Sequence, residues 1–177
     1  HVVQGVRGRE ADEIRVLLGN GLEYTAELIG SDSKTDVAVL KVEVEAELPA
    51  LTIANSDKLR VGDVVFAIGN PLDVGLTATQ GIVSAKGRDQ GGRILGPGSY
   101  ENFIQTDAAI NPGMSGGALV DAKGQLIGLI NAIYTKEADI DAGVNFAISS
   151  DLLLKGLARL SKAFCSPTGE GMLSPCP

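Results

Sequence analysis

Apolar runs in this chain are short, and almost every one is closed by a turn signal. Residues 13–18 end at Gly19-Asn20-Gly21, residues 63–68 at Asn70-Pro71, and residues 118–120 at Asp121-Ala122-Lys123-Gly124. Runs of four to eight apolar or alternating residues bounded by such signals are strands rather than helices. With 23 glycines in 177 residues, the chain has the turn chemistry for many short strands, and the expected fold class is all-β. Two alternating runs, 13–18 and 22–29, flank an Asn-Gly pair and predict a hairpin. Residues 36–42 predict a third strand, apolar almost throughout and therefore expected to be buried on both faces. A short strand over 49–53 and a crossing segment over 54–60 follow. Strands are expected next over 63–68, 76–85, 103–110, 118–120, 125–134 and 144–148. Ser149-Ser150-Asp151 caps the one predicted helix, which runs to about Leu160 with Leu152, Leu153, Leu157 and Leu160 on one face.

One loop between these strands has the composition of a nucleophile turn. Asn111-Pro112-Gly113-Met114-Ser115-Gly116-Gly117 places a single serine in a glycine-rich bend between two apolar runs. Acyl transfer to a serine generates an oxyanion, and backbone N–H groups already aimed at that oxygen lower the barrier. Gly113, Met114 and Ser115 are the candidate donors. An ordinary tight hairpin has the same composition, since serine and glycine dominate turns in general, so the loop alone leaves both readings open. A nucleophilic serine also needs an imidazole to accept its proton and a carboxylate to hold that imidazole, and His, then Asp, then Ser is one known chain order. The chain has one histidine, His1. Asp36 follows at the mouth of the third strand and Ser115 comes last, which makes His1, Asp36 and Ser115 the candidate catalytic residues.

Along most of its length the sequence resembles the HtrA (Deg) family of trypsin-like serine proteases. His1-Val2-Val3 is similar to the end of that family's histidine motif, and residues 33–40 resemble its aspartate motif. Residues 61–71, 80–84 and 103–108 resemble its later strands. The resemblance implies two Greek-key β-barrels of the chymotrypsin type, the first incomplete, with the triad in the cleft between them and a C-terminal helix. Residues 1–60 would be the remainder of the first barrel, 61–162 the second barrel with its closing helix, and 163–177 a disordered tail. It implies an ATP-independent endopeptidase that acts on unfolded polypeptides in protein quality control, in the periplasm or another extracytoplasmic space, as a homotrimer in full-length members. The substrate pocket would be lined by Ala109, Ile110, Asn131, Ala132 and Ile133. No charge lies among these, so cleavage is expected after small aliphatic residues.

Three departures accompany the resemblance. Met114 stands where the family usually has Asn. The strands that precede the histidine in the family are not in this chain, and neither is a following PDZ domain. A histidine with no strand before it is expected to be poorly held, lowering the rate at least about a hundredfold.

A net charge of −7 opposes binding to nucleic acid, which needs a basic patch. No apolar run approaches the roughly 18 residues of a membrane-spanning helix. No cofactor is expected. Cys165 and Cys176 read as incidental tail residues, and two thiols with one distant histidine are too few for a metal site. The acidic loop 135–142, with Glu137, Asp139 and Asp141, lacks the spacing of a calcium loop. Two alternatives to an enzyme fit the same sequence. One is a module that holds unfolded segments without cutting them; the other is a structural barrel whose Ser115 loop is only a turn.

Overall fold

The computed structural model describes residues 1–4, 11–45, 47–89, 95–131 and 143–164. The Asn-Gly hairpin forms as expected. Strand β1 (Ile14–Leu17) pairs antiparallel with β2 (Glu23–Asp32), and Leu17 lies opposite Glu23. Gly21 closes the turn by donating to the Leu18 carbonyl at 2.9 Å. Strand β3 (Val37–Val42) pairs with the other edge of β2, with a bulge at Leu28–Gly30, and completes a three-stranded sheet in the order β1-β2-β3. The expectation that β3 is buried on both faces does not hold. Only Val37 is buried, while Leu40 and Lys41 are exposed. β3 is the edge strand of a small sheet, and only its first residue lies beneath another layer, where Val37 packs with Leu126 and Leu153.

Residues 49–53 form no strand of their own. Ile53 makes an isolated parallel bridge to Leu126, supported by hydrogen bonds from Leu126 N to the Thr52 carbonyl and from Ala54 N to the Leu126 carbonyl, each 2.9 Å. The crossing segment then makes a 3-10 turn, Ser56–Lys58, capped by the Asn55 side chain.

The second body is a closed barrel. Its strands are β4 (Val64–Gly69), β5 (Thr77–Arg88), β6 (Phe103–Thr106), β7 (Ala118–Asp121), β8 (Leu126–Asn131) and β9 (Asn145–Ser149). They lie in the order β4-β5-β6-β9-β8-β7, with β7 returning to pair with β4. Closure leaves no open edge, and inward side chains fill the interior. Val65, Val83, Ile104, Met114, Leu119, Ile127 and Ile130 belong to that core, each at most 1 % exposed. A smaller cluster beside it stacks Phe103 edge-on against Phe146, 6.0 Å between centroids, and adds Ile148 and Leu152. The fold is all-β: a three-stranded sheet, a closed six-stranded barrel and a C-terminal helix.

Helix α1 (Ser150–Phe164) runs four residues beyond Leu160, past the expected start of the tail. Ser149 caps it, its hydroxyl accepting from Leu152 N at 3.3 Å. Ser150 and Asp151 hold the inter-lobe crossing. Ser150 Oγ donates to the Ala54 carbonyl at 2.7 Å and accepts from Ser56 N at 3.1 Å, and Asp151 accepts from Ser56 Oγ at 2.9 Å. The last turns of α1 reach the three-stranded sheet. Arg159 Nε donates to Asp32 Oδ2 at 2.9 Å, its Nη2 lies 2.7 Å from the same oxygen, and its guanidinium sits 4.7 Å from the Tyr100 ring centre.

Burial alone pushes the Asp32 carboxyl up, but hydrogen bonds from Arg159, Thr35 and the Lys34 N–H, together with the Arg159 charge, outweigh it and hold the group below its ordinary value. A depressed carboxylate contributes stability that is present above its unfolded value of 3.8 and is lost as pH falls through the folded value beneath it. Urea unfolding is therefore expected to show the native chain more stable than Asp32→Asn at pH 7, with the gap closing below about pH 4. Arg159 is 40 % exposed, so the gap at pH 7 is on the order of 1 kcal/mol. An equal gap at pH 7 and pH 3 would contradict this account.

Candidate active site

The loop between β6 and β7 carries Ser115, and its shape is set by backbone crowding. Met114 N donates to the Asn111 carbonyl at 3.1 Å and Gly117 N to the Met114 carbonyl at 2.9 Å, so two tight turns follow one another. Gly113 has φ of +96°, and a Cβ there would lie 2.7 Å from the Asn70 carbonyl oxygen. Any side chain would meet both the strained conformation and the clash. A Cβ on Gly117 would lie 2.3 Å from the Ile68 carbonyl oxygen. The loop is therefore pressed onto the end of β4 and the segment that follows it. Leu72 N donates to the Pro112 carbonyl at 3.0 Å. On the other side Gly116 N donates to the Ile130 carbonyl at 2.9 Å and Ile130 N to the Gly117 carbonyl at 2.8 Å, which pins the loop to β8. Ser115 sits half-buried between these supports.

Met114 points the other way. Its side chain is fully buried in the barrel core, with Sδ 3.5 Å from Asn111 N. A thioether suits an irregular apolar gap, and burying it contributes about 1.5–3 kcal/mol. The Met at this position, where the resembled family usually has Asn, thus acts on the core side of the loop. Its N–H is already engaged with Asn111.

Asp36 lies in the turn before β3 with φ of +56°. This left-handed conformation costs a non-glycine residue roughly 1–2 kcal/mol, and Asp tolerates it better than most. Its carboxylate gathers three nitrogens. His1 Nδ1 lies 2.5 Å from Oδ2, the His1 amino nitrogen donates to Oδ1 at 2.5 Å, and Asn131 Nδ2 donates to Oδ2 at 3.1 Å. His1 is thus held by Asp36 itself, and Gln4 N adds a bond to the His1 carbonyl at 3.1 Å.

With the proton on Nδ1 facing the carboxylate, Nε2 presents its lone pair, which is the tautomer a general base needs. Nε2 is buried and has no hydrogen-bond partner among the described residues. The segment carrying the ring also lies against the serine loop, since Val2 Cγ2 is 3.5 Å from the position of a Cβ on Gly116. The fold therefore brings the His1 segment, Asp36 and the Ser115 loop to one place.

The expected pocket residues separate. Ala109 is half-buried, and its carbonyl accepts from Thr79 Oγ1 at 2.7 Å. Ile110 is 2 % exposed and packs in the barrel core. Asn131 is also 2 % exposed, but its amide serves Asp36. Ala132 and Ile133 lie outside the described residues, as do the acidic loop 135–142 and both cysteines. The sequence reading missed this role of Asn131, because 95 residues separate it from its partner. It also missed the brace at Asn70–Leu72, where Asn-Pro had read only as a strand stop. A concavity of about 400 Å³ lined by Tyr24–Glu27, Lys41 and Glu43 lies on the three-stranded sheet and contains none of the candidate residues. No group of acidic, histidine or cysteine residues suited to a metal occurs among the described residues.

Comparison with known proteins agrees with this geometry. The family model described as a trypsin-like peptidase domain matches residues 1–129. A probable periplasmic serine protease do/HhoA-like from Haemophilus influenzae is 48% identical over 151 residues, covering 85% of this chain and 30% of its own length. The periplasmic pH-dependent serine endoprotease DegQ of Escherichia coli (strain K12) is 48% identical over 143 residues, covering 81% of this chain and 30% of its own. Among solved structures, an HtrA-type protease AlgW with decapeptide superposes with a TM-score of 0.78 at 52% identity, covering 86% of this chain and 45% of that one. The chain spans about a third of the length of these curated relatives and under half of the solved chain. On the match to the family model and these likenesses, the chain belongs to the trypsin-like peptidases, in their HtrA (Deg) branch.

Proposed function

We propose that this chain is the catalytic portion of an ATP-independent HtrA-type serine endopeptidase that cuts unfolded polypeptides in an extracytoplasmic space. The observation that carries the reading is the His1–Asp36 pair: Nδ1 is turned to the carboxylate, Nε2 is buried without a hydrogen-bond partner among the described residues, and the His1 segment lies against the serine loop. Ser115 Oγ attacks the peptide carbonyl carbon while His1 Nε2 accepts the hydroxyl proton, and Asp36 stabilises the imidazolium that forms. The oxyanion is held by the Gly113 and Ser115 N–H groups. The Met114 N–H is not needed in that role, because it is bonded to Asn111. His1 then returns the proton to the leaving amine, and water releases the acyl group by the same route in reverse. The relatives' names support the periplasmic setting and the protein substrate. The homotrimer expected of full-length members belongs to the same proposal.

A serine-directed fluorophosphonate is expected to label the native chain at Ser115, found by peptide mass mapping, and to leave Ser115→Ala unlabelled. In native chain and variant alike the circular dichroism stays the same. Absence of label on the folded native chain would favour a holding module over an enzyme.

Asn131 is expected to matter through Asp36. Removing a hydrogen bond to a carboxylate forfeits about 1.5–3 kcal/mol, so Asn131→Ala lowers kcat/KM on casein peptides by roughly ten- to a hundredfold, with most of the loss in kcat. A loss confined to KM would return Asn131 to a substrate-contacting role.

Cleavage is expected after small aliphatic residues such as Val and Ala, because none of the pocket residues that the resemblance implies, Ala109, Ile110, Asn131, Ala132 and Ile133, carries a charge to pair with a buried Lys or Arg. Mass-spectrometric mapping of casein products checks this, and a majority of cuts after Lys or Arg would refute it.

A further inference from the structure

The turn that carries Asp36 is gripped from the opposite lobe by the C-terminal helix. Arg159 and Gly156 make the grip from the helix. Arg159 on α1 binds Asp32 at the start of the turn through Nε at 2.9 Å, with Nη2 2.7 Å from the same oxygen. Asp32 in turn accepts from Thr35 Oγ1 at 2.9 Å and from Lys34 N at 3.1 Å, which folds the turn around its own carboxylate. Gly156, one helical turn before Arg159, lets the helix approach both neighbours of Asp36: a Cβ there would lie 2.7 Å from Thr35 Oγ1 and 3.4 Å from Val37. Tyr100 completes the clamp, its N–H donating to the Lys34 carbonyl at 2.8 Å and its ring lying under the Arg159 guanidinium.

Asp36 needs such support because of its backbone. It holds a left-handed φ of +56° between two buried residues, Thr35 at 0% and Val37 at 2% exposure. A strained residue persists where its surroundings over-determine it. Here those surroundings are supplied largely by α1, none of whose described side chains bonds to the His1–Asp36 pair.

We propose that Arg159 and Gly156 are positioning residues for Asp36, setting the carboxylate against His1 Nδ1 from the far side of the turn. This role rests on the protease reading only for its catalytic consequence. The effect on the His1–Asp36 pair exists whether or not the chain cleaves protein. The clamp also couples the two lobes: a shift of α1 along its axis moves the turn, and with it the orientation of the imidazole.

The single histidine makes the test direct, since one imidazole gives one set of ring-nitrogen signals. The native chain, Arg159→Met, Arg159→Lys, Gly156→Ala and the exposed control Lys155→Ala are uniformly ¹⁵N-labelled. The neutral ring's tautomer is then read from the Nδ1 and Nε2 shifts in long-range ¹H–¹⁵N spectra at mildly alkaline pH. The native ring and Lys155→Ala are expected to hold the proton on Nδ1. Arg159→Met and Gly156→Ala are expected to move it toward Nε2, with Arg159→Lys in between because it keeps the charge but not the fork. Gly156→Ala is the informative second variant, because alanine favours helix and a change there does not arise from fraying of α1. On the same samples, fluorophosphonate labelling of Ser115 is expected to slow about tenfold in Arg159→Met and Gly156→Ala, while urea midpoints show both variants folded. An unchanged tautomer in both folded variants overturns the proposal, whatever the labelling rate. A native chain that shows the tautomer shift on mutation but never labels would sink the protease reading and leave the positioning role standing.

Discussion

Pairing of β4 with β7 closes the barrel, with Phe66 opposite Val120, Ala67 opposite Leu119 and Ile68 opposite Ala118. The Ser115 loop ends where β7 begins, so this ladder fixes one end of the loop and β6 fixes the other. Between them the backbone has little room. Gly117 is crowded by the Ile68 carbonyl, and Gly113 by the Asn70 carbonyl. Because closed barrels and packed cores resist continuous deformation, the turn at Ser115 inherits the rigidity of the sheet. Met114 reinforces it from below, its buried side chain acting as a peg in the core. A serine on a free loop would sample many geometries. One anchored on β4, β7 and β8 samples few, and preorganisation of this kind is worth several kcal/mol in acyl transfer.

The other half of the site is built differently. The three-stranded sheet has two edges, and much of it is half-buried or exposed, so it cannot supply the same rigidity by itself. Its contact with the barrel does. The Ile53–Leu126 bridge, the Ser56–Ser150–Asp151 hydrogen bonds and the Arg159–Asp32 pair all tie the first lobe to the barrel or to the helix that closes it. Asn131 adds a tie at the site itself, from the end of β8 to the Asp36 carboxylate. The pairs between side chains are long in sequence and short in space, and two of them join a charged group to a neutral donor. Such bonds are stronger than neutral ones and sensitive to geometry. Placement of Asp36 is therefore a property of the whole assembly rather than of its own strand.

Much of the architecture was legible because its signals are local. Short apolar runs and Asn-Gly or Asp-Ala-Lys-Gly turns marked the strands, and Ser149 marked the start of the helix through a hydrogen bond made within one turn. Where the local pattern was read as a statement about burial it failed: β3 is apolar but half-covered, since hydrophobicity describes what a strand tolerates and not what packs on it. Residues 49–53 failed in a similar way. Their one bridge goes to Leu126, a partner that no window around them contains.

The site divides along the same line. Sequence alone determined the chemical types and the order of His1, Asp36 and Ser115, together with the glycines without which the serine turn cannot bend, because each of these is a property of single residues and near neighbours. Only the tertiary structure decided what holds them. It turned Nδ1 of His1 toward Asp36, sent the Met114 side chain into the core, bonded the Asn131 amide to the Asp36 carboxylate, and brought Arg159 and Gly156 onto the turn before β3. Those assignments depend on which distant groups share a few ångströms, and that is set by how the barrel closes and how the helix docks across both lobes.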